Sequence, residues 1–366
     1  MAEQPVDPGE LQRLGLYDPD DEHGADRLAL LRYLFELGAT VEDLRRSREG
    51  ELPGVAAMLA IRARPTMTMA EVAARAGMSE ELALRVYRAA GFPDPDADAL
   101  VGNEEDVDVL RTLRGGMDLL GREEMIQLTR VVGSALARVA DAMVSAFVVN
   151  VVAPSLDEDP AGLALARANA DAGALLRASG AGIDMLLRRH IDLAQRPIVM
   201  GVQETQALAV GFVDLVGSTA LAQRLSMSEL GAMLTSFDEL ASDAILAGGG
   251  RFVKLIGDEV MFVAADPSAA CDIALEIVEG VHRHPSLPDG RGGLASGEVL
   301  TRDGDYFGPV VNLAARSVKL AEPGATLASR ALAEACAPDY HFAPIGAQHL
   351  DGFDGPIELF RLDRPS

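Results

Sequence analysis

Two aspartates stand where two predicted strands end, and their positions favour a shared metal site. Asp214 lies at the end of the apolar run in GFVDLVGST, and Asp258 lies 44 residues later, at the tip of a predicted hairpin in FVKLIGDEVMF. If both runs are inner strands of one sheet, the two carboxylates repel each other unless cations bind between them. Such oxygen ligands favour Mg²⁺ or Mn²⁺. The alternative is that each aspartate is an ordinary turn or cap residue.

Two further segments carry groups suited to a phosphoryl reaction. Gly217, Ser218 and Thr219 open a predicted helix just after Asp214, and backbone N–H groups at a helix start can receive phosphate oxygens. Asn312 and Arg316 are four residues apart in the predicted helix VNLAAR, so they project from one face. They are either ordinary surface residues or groups that supply charge and orientation.

Lys254 lies in the same hairpin as Asp258, inside a strand-forming run. An exposed salt bridge between the two would contribute about 0 to 1 kcal/mol. Only two of the 32 cationic residues of the sequence are lysines, Lys254 and Lys319. A lysine inside a strand is therefore less typical of an ordinary surface residue in this chain. The hairpin therefore leaves two interpretations open, a local ion pair or a role in a site.

Three stretches together, GFVDLVGST, FVKLIGDEVMF and GDYFGPVVNLAAR, resemble the catalytic domain of class III nucleotidyl cyclases in order and spacing, over roughly 205–362. The resemblance implies two divalent metal ions, Mg²⁺ or Mn²⁺, and a purine nucleotide substrate. The implied site residues are Asp214, Leu215 (through its carbonyl) and Asp258 for metal, Lys254, Asp305, Gly217, Ser218 and Thr219 for substrate, and Asn312 and Arg316 for the transition state.

The resemblance further implies which purine is bound. Adenine presents an acceptor at N1 and an amino donor at C6, which match the ammonium of Lys254 and the carboxylate of Asp305. Guanine reverses both demands, so this pair disfavours GTP. The expected reaction converts ATP to 3′,5′-cyclic AMP and pyrophosphate by a two-metal mechanism. In this family each site forms between two catalytic domains, with metal residues from one and purine and transition-state residues from the other. We therefore expect a homodimer with two complete sites.

One position departs from the family pattern. Many members have a phosphate-contacting Lys-Gly near the C-terminus, whereas this chain reads HLDGFDGPIEL, with Asp351 at the place of the lysine. The substitution removes a positive charge from the expected triphosphate site. Arg302, in LTRDGDYFG, is a candidate for compensation.

The elements that must position these residues fall into two halves. Helical patterns run from about 25 to 195, and after about 203 the order is β-α-β-β-α-β with extra strands in HFAPIGAQHL and IELFRL. The prediction is an α+β chain with an all-helical regulatory and dimerisation domain at 1–200, including a linker helix at about 180–196. A ferredoxin-like α/β catalytic domain follows at 203–366.

Two segments of the helical half admit more specific predictions. Residues 67–93 read as a helix-turn-helix, with Gly77 at the turn and Ser79 capping the second helix; acidic residues around it favour a trihelical scaffold over DNA recognition. Residues 123–152 read as one long apolar helix that packs on two sides or against another chain. Its final stretch, AMVSAFVVNVVA at 142–153, is predicted to be buried.

Composition and hydropathy argue against several classes of protein. The net charge of −24 disfavours a nucleic-acid partner. No uninterrupted apolar run reaches the roughly 18 residues of a membrane-spanning helix, and the start lacks a signal-peptide pattern, so we expect a cytoplasmic protein without a membrane-spanning segment. Cys271 and Cys336 are too few for a disulfide framework and are predicted to be core residues.

As a whole the chain resembles actinobacterial adenylyl cyclases with an N-terminal helical regulatory domain, some of which respond to pH. His190, near the predicted domain boundary, is a candidate pH-sensitive residue or a solvated helix-face residue. A lipid-like ligand of the helical half is the other regulatory possibility. The main alternative function is a catalytically weak or inactive nucleotide sensor or transcription regulator that uses 67–93. A diguanylate cyclase is disfavoured because the IGDEV turn lacks a doubled glycine.

Overall fold

Helical periodicity governs the first half of the chain. The computed structural model describes residues 7–47, 52–61, 64–155, 159, 162–195, 205–337 and 339–364. Residues 1–199 and 200–366 form two separate units, and the predicted boundary near 195–205 lies mostly outside the described residues. The helices of the first unit are α1 (Pro8–Arg13), α2 (Gly24–Glu36), α3 (Val41–Arg46), α4 (Leu52–Ile61), α5 (Met69–Ala76), α6 (Glu80–Ala89), α7 (Glu104–Leu120), α8 (Arg122–Phe147), α9 (Ala153–Ser155), α10 (Leu163–Ala178) and α11 (Gly180–Gln195).

Local capping explains where several of these helices begin. The predicted N-cap Thr40 accepts a hydrogen bond from the Asp43 N–H in a capping box, and Thr68 does the same for Glu71. Helix α5 ends at Gly77, whose φ of +72° permits the turn, and Ser79 then caps α6. The helix-turn-helix geometry predicted for 67–93 is therefore confirmed.

Two apolar cores lie inside the helical unit. One is centred on α2, α4 and α10 and includes Leu30, Leu34 and Val55. The other joins α5, α6 and α7 through Val72 and Val107, among others. Each core is built from one apolar stripe per helix, as the 3.6-residue period predicts.

The long helix predicted at 123–152 forms, but its predicted burial is wrong. Helix α8 continues through a π-helical turn, Val148–Val152, into α9, and none of residues 142–154 is buried. By length and composition the helix Arg122–Val152 could cross a membrane, the only such helix in the described part of the chain. Arg130, Arg138 and Asp141 within it disfavour a lipid-embedded span.

The second unit is built on one mixed sheet. Its elements are β1 (Thr205–Leu215), α12 (Ser218–Ala222), α13 (Met227–Ala247), β2 (Arg251–Ile256), β3 (Glu259–Ala264), α14 (Pro267–Arg283), β4 (Gly290–Arg302), β5 (Asp305–Phe307), α15 (Pro309–Leu320), β6 (Thr326–Ser329), α16 (Arg330–Cys336), β7 (His341–His349) and β8 (Pro356–Asp363). The strand order is β2-β3-β1-β4-β6-β8-β7, and β5 pairs with β4. The antiparallel set β2-β3-β1-β4 is the predicted ferredoxin-like core, which confirms the predicted fold class.

Strand alternation sends successive side chains of β1 to opposite faces of the sheet. Val213 packs under α13 and α14, in a core that also contains the predicted core residues Cys271 and Cys336. Val210 and Phe212 pack on the other face, against α15. Because the period is two, Asp214 belongs to the α15 face, at the end of the strand.

Candidate active site

A row of three charged residues crosses the sheet at the end of β1. Asp214 lies opposite Glu259 of β3 on one side and opposite Arg291 of β4 on the other. Directly opposed residues of antiparallel strands share one face, so all three side chains lie on the α15 face. Asp214 is only 6% exposed, which makes it one of the few buried charged residues of the chain.

Arg291 holds the Asp214 carboxylate on one side. Its Nε and Nη2 both donate to Asp214 Oδ2, at 3.1 and 2.6 Å, and its Nη1 donates to the backbone carbonyl of Lys319 at 3.1 Å. The guanidinium thus joins the metal-candidate aspartate to the last turn of α15. Charge-assisted contacts of this length are the stronger class of hydrogen bond.

Asp258 is brought to the same end of the sheet by the β2–β3 turn. Its backbone carbonyl accepts a hydrogen bond from the Leu215 N–H at 3.2 Å, and its carboxylate accepts one from the Ser218 hydroxyl. Gly257 and Gly217 have φ values of +69° and +71°, which glycine adopts without strain, so both turns can form. The structure therefore brings together the predicted residues Asp214, Leu215, Ser218 and Asp258.

The Thr219 side chain lies outside the described residues. Gly217 is the N-cap of α12, next to Ser218, as the sequence predicts. The contact of Gly217, Ser218 and Thr219 with the substrate phosphates stays a prediction.

A third carboxylate, Glu259, lies beside this pair. It is 8% exposed, its Oε2 is 3.8 Å from Lys319 Nζ, and its buried Oε1 has no hydrogen-bond partner among the described residues. Burial raises the pKa of Glu259, and the charges of Asp214 and Asp258 raise it further, while Lys319 and Arg291 act in the opposite direction. The cluster thus has an excess of negative charge and an unpaired oxygen, which suits a divalent cation.

The protein side chains alone do not complete a metal shell. Within the described ranges no three His, Cys, Asp or Glu side chains converge closely enough to hold a metal ion. A cation bound by Asp214 and Asp258 would therefore need backbone, water or substrate oxygens as well, which is the usual situation for Mg²⁺.

Lys254 pairs with Asp305, not with Asp258. The Lys254 ammonium donates to Asp305 Oδ2, and Asp305 Oδ1 accepts from the Tyr306 N–H at 2.9 Å. Both side chains are partly exposed, so each polar end remains within reach of a ligand. The structure therefore brings together the two residues predicted to select the purine, and the local pair with Asp258 does not form.

Asn312 and Arg316 lie on α15 and are exposed. Neither side chain has a hydrogen-bond or ion-pair partner among the described residues. Asp351 is exposed in the turn between β7 and β8. Arg302 is largely exposed and ion-pairs with Asp303 at 3.6 Å, which leaves no contact with Asp214 or Asp258. The cation beside the metal-candidate carboxylates is Arg291.

Sequence reasoning missed Arg291, Glu259 and the role of Lys319. Glu259 follows Asp258 directly, so the motif itself contains it, and Lys319 is one of the two lysines. Arg291 precedes the predicted strand GGLASGEVL, and its place opposite Asp214 depends on the strand register. That register is set by the packed sheet and carries no local sequence signal.

Comparison with known proteins covers both units. The family described as adenylate cyclase regulatory domain matches residues 13–192. An uncharacterized protein of Mycobacterium tuberculosis is 36% identical over 364 residues, which cover 97% of this chain and 94% of that protein. The similarity thus extends across the helical unit and the sheet unit together.

Two further relatives carry functional names. A Streptomyces coelicolor protein named adenylate cyclase is 37% identical over 271 residues, which cover 72% of this chain and 70% of that protein. A Mycobacterium tuberculosis protein named pH-sensitive adenylate cyclase is 31% identical over 357 residues, which cover 93% of this chain and 88% of that protein.

Proposed function

The chain belongs to the family of class III adenylate cyclases with an N-terminal regulatory domain, and on that premise we propose that it forms cyclic AMP and pyrophosphate from ATP as a homodimer. The observation that carries the proposal is the charged cluster at the end of β1. There Asp214 and Asp258 are joined through the backbone contact of Leu215, with a buried, unpaired carboxylate oxygen beside them.

The unpaired oxygen and the excess negative charge fit bound Mg²⁺ or Mn²⁺. Asp214, Asp258 and the backbone carbonyl of Leu215 would hold the ions. Bound metal supplies a lowered pKa at the ribose 3′-hydroxyl and neutralises triphosphate charge. Arg291 holds the Asp214 carboxylate in place through two hydrogen bonds to Oδ2.

Lys254 and Asp305 set the substrate in this proposal. Because they hydrogen-bond to each other, a donor and an acceptor stand side by side before nucleotide binds. Adenine matches this order at N1 and the C6 amino group, whereas guanine would leave both groups mismatched. Selection of ATP follows from the pair.

Asn312 and Arg316 act on a nucleotide whose metal ions are held by the other subunit. Both side chains are exposed and have no hydrogen-bond or ion-pair partner among the described residues, which supports this assignment, because a guanidinium that must stabilise charge on the α-phosphoryl group has to be available. Asn312 orients the ribose. The exposed apolar side chains of α8, such as Leu136 and Val139, support a second copy as the dimer partner.

The helical unit is proposed to regulate the two sites by shifting the catalytic domains relative to each other. His190, exposed on α11, is the candidate pH-sensitive residue in this proposal. The name of one relative, pH-sensitive adenylate cyclase, supports pH as the signal.

The test is cyclic AMP formation by the purified full-length protein, with Mn²⁺ or Mg²⁺ and across acidic to alkaline pH. We expect activity with ATP above that with GTP, and a loss of at least about a thousandfold in Asp214→Ala, since metal contributions are worth several kcal/mol. Asp243→Ala, an exposed aspartate on α13, is the matched control and keeps wild-type activity.

Wild-type protein that makes no cyclic AMP with either metal at any pH would overturn the proposal. ATP binding without turnover would favour the nucleotide-sensor alternative. A preference for GTP would overturn the assignment of Lys254 and Asp305.

A further inference from the structure

The second lysine of the sequence, Lys319, lies next to the candidate metal site. The chain uses arginine for all but two of its cationic residues, and both exceptions ion-pair with a carboxylate in the sheet unit. Lys254 has a role in the proposed purine site, whereas Lys319 has none. Its partner is Glu259, the third carboxylate of the cluster, so the pair calls for a physical explanation.

Glu259 is held in a costly position. It lies directly opposite Asp214 across β1 and β3, it is 8% exposed, and its Oε1 has no hydrogen-bond partner among the described residues. A buried charged group that lacks a partner costs stability. Lys319 contacts only the other oxygen, at 3.8 Å, and its side chain is 56% exposed, so this ion pair offsets little of that cost.

The neighbouring donors do not reach the unpaired oxygen. Arg291 donates to Asp214 and to the Lys319 carbonyl, and the Ser218 hydroxyl donates to Asp258. Among the described residues, therefore, no donor pairs with Oε1, which leaves this oxygen available to a bound group. Such a group would approach from the side of the two aspartates, since Glu259 shares their end of the sheet.

Direct binding of a metal ion by Glu259 does not fit, because no three acidic side chains of the described residues converge on one point. A hydrated cation does fit. Mg²⁺ dehydrates reluctantly and keeps several waters, each of which is a hydrogen-bond donor. Acceptors in the outer shell orient such ligands and raise metal affinity.

We propose that Glu259 is an outer-shell positioning residue, whose Oε1 accepts a hydrogen bond from the water of a divalent cation held by Asp214 and Asp258, while Lys319 lies near Oε2. The inference rests on the metal part of the proposed function. It assigns the cost of burying Glu259 to the binding of the cation, with Lys319 as a nearby countercharge of Oε2.

The experiment measures Mn²⁺ binding to the full-length protein without nucleotide, from the electron paramagnetic resonance signal of the free ion. We expect Glu259→Gln to weaken Mn²⁺ binding by about tenfold or more, as for other outer-shell groups. Lys319→Met should change Mn²⁺ binding by less than Glu259→Gln does, because the loss of a nearby positive charge favours the cation and offsets any loss of orientation at Oε2. Circular dichroism verifies that each variant is folded.

Two variants separate a hydrogen bond from simple attraction of charge. Glu259→Asp keeps the charge but draws the oxygen back by one methylene, so a positioning role predicts weakened binding there too. Glu322→Gln removes a carboxylate from an exposed position just after α15 and is expected to bind Mn²⁺ like the wild type.

Binding within twofold of the wild type in Glu259→Gln or in Glu259→Asp overturns the proposal. Wild-type protein that binds no Mn²⁺ overturns it as well. The proposed function fails separately, if the wild type binds Mn²⁺ but forms no cyclic AMP from ATP. Cyclic AMP formation together with an unchanged Mn²⁺ affinity in Glu259→Gln would refute the outer-shell role alone.

Discussion

The two units of this chain depart from ordinary packing in opposite directions. The sheet unit buries the carboxylates of Asp214 and Glu259, while the helical unit leaves large apolar side chains in solvent, such as Val149 at 64% and Leu187 at 57% exposure. Buried charges are rare unless they are paired, and contiguous exposed apolar faces are rare on isolated chains. The proposed bound cation accounts for the first departure, and a covering surface would account for the second.

The comparison teaches where each unit is incomplete as a single chain. In the sheet unit the missing component is small and charged, because the unpaired atom is one carboxylate oxygen. In the helical unit it is large and apolar, because exposed side chains run along α8 and α11. The proposed homodimeric cyclase would supply both, because a second copy would cover apolar surface and the substrate would bring metal ions.

The largest expected effect tests whether the sheet unit holds one complete site. Lys254→Ala and Asp258→Ala should each lose activity by at least about a hundredfold. When the two are mixed and exchange subunits, half of the dimers are mixed and each has one of its two sites intact. Cyclic AMP formation should therefore recover to about a quarter of the wild-type rate.

The control mixes two variants that damage the same half of the site. Asp214→Ala with Asp258→Ala should stay inactive, because every mixed dimer then carries a damaged metal set in both sites. If Lys254→Ala and Asp258→Ala also show no activity when mixed, the two residues do not act in a site shared between subunits. The conclusion that the sheet unit of one chain is incomplete would then be wrong.

Most of the sheet unit could be predicted from the sequence, because short local patterns of apolar runs and turn residues identify its strands and helices. The hairpin around Asp258 has a turn glycine between two apolar runs, and the β-α-β-β-α-β order fixes which strands are neighbours. That order brings Asp214 and Asp258 together. The pairing of Lys254 with Asp305 followed from the family resemblance, because their 51-residue separation carries no local pattern.

Other features were not predictable for physical reasons. The contact between Arg291 and Asp214 depends on strand register, which the packed faces decide. The exposure of residues 142–153 depends on what covers the helix, whereas periodicity reports only that the helix has an apolar face. Both failures concern tertiary partners, and both fall where the two units are incomplete.

A smaller effect tests the cost of burying Glu259. Because the pKa of Glu259 is raised in the folded state, the native protein binds more protons than the unfolded chain between the ordinary glutamate range and that raised value. Stability therefore falls as pH rises through this window. In metal-free protein, Glu259→Gln should stabilise the sheet unit by about 1 kcal/mol at alkaline pH and not below the ordinary glutamate range.

Thermal unfolding in the presence of a chelator measures this difference at two pH values. The same substitution at exposed Glu322 is the control and should leave the midpoint unchanged at both. A lower midpoint for Glu259→Gln at alkaline pH would show that the carboxylate stabilises the fold, and the contrast with the helical unit would lose its energetic basis.

The smallest effect asks whether the two units obey the same local rules. Thr68 at the start of α5 and Ser226 at the start of α13 form identical capping boxes, each accepting from the N–H of a glutamate three residues on, Glu71 and Glu229. Replacing either cap with Ala should cost about 1 kcal/mol. The amides of Glu71 and Glu229 should then exchange hydrogen about fivefold faster, by the energy relation for opening.

The matched control is Thr112→Ala, whose hydroxyl donates to the Asp108 carbonyl inside α7 and caps nothing, so exchange there should change little. The Ser226 hydrogen bonds also hold the pKa of Glu229 below its usual range, so stabilisation of α13 by this cap should fade as pH falls through that range. Equal costs at the two caps would show that local capping is the same in both units. The difference between them would then lie only in which side chains their tertiary packing buries. A much larger cost at Ser226 would mean that the sheet unit depends more heavily on its local helix capping than the helical unit does.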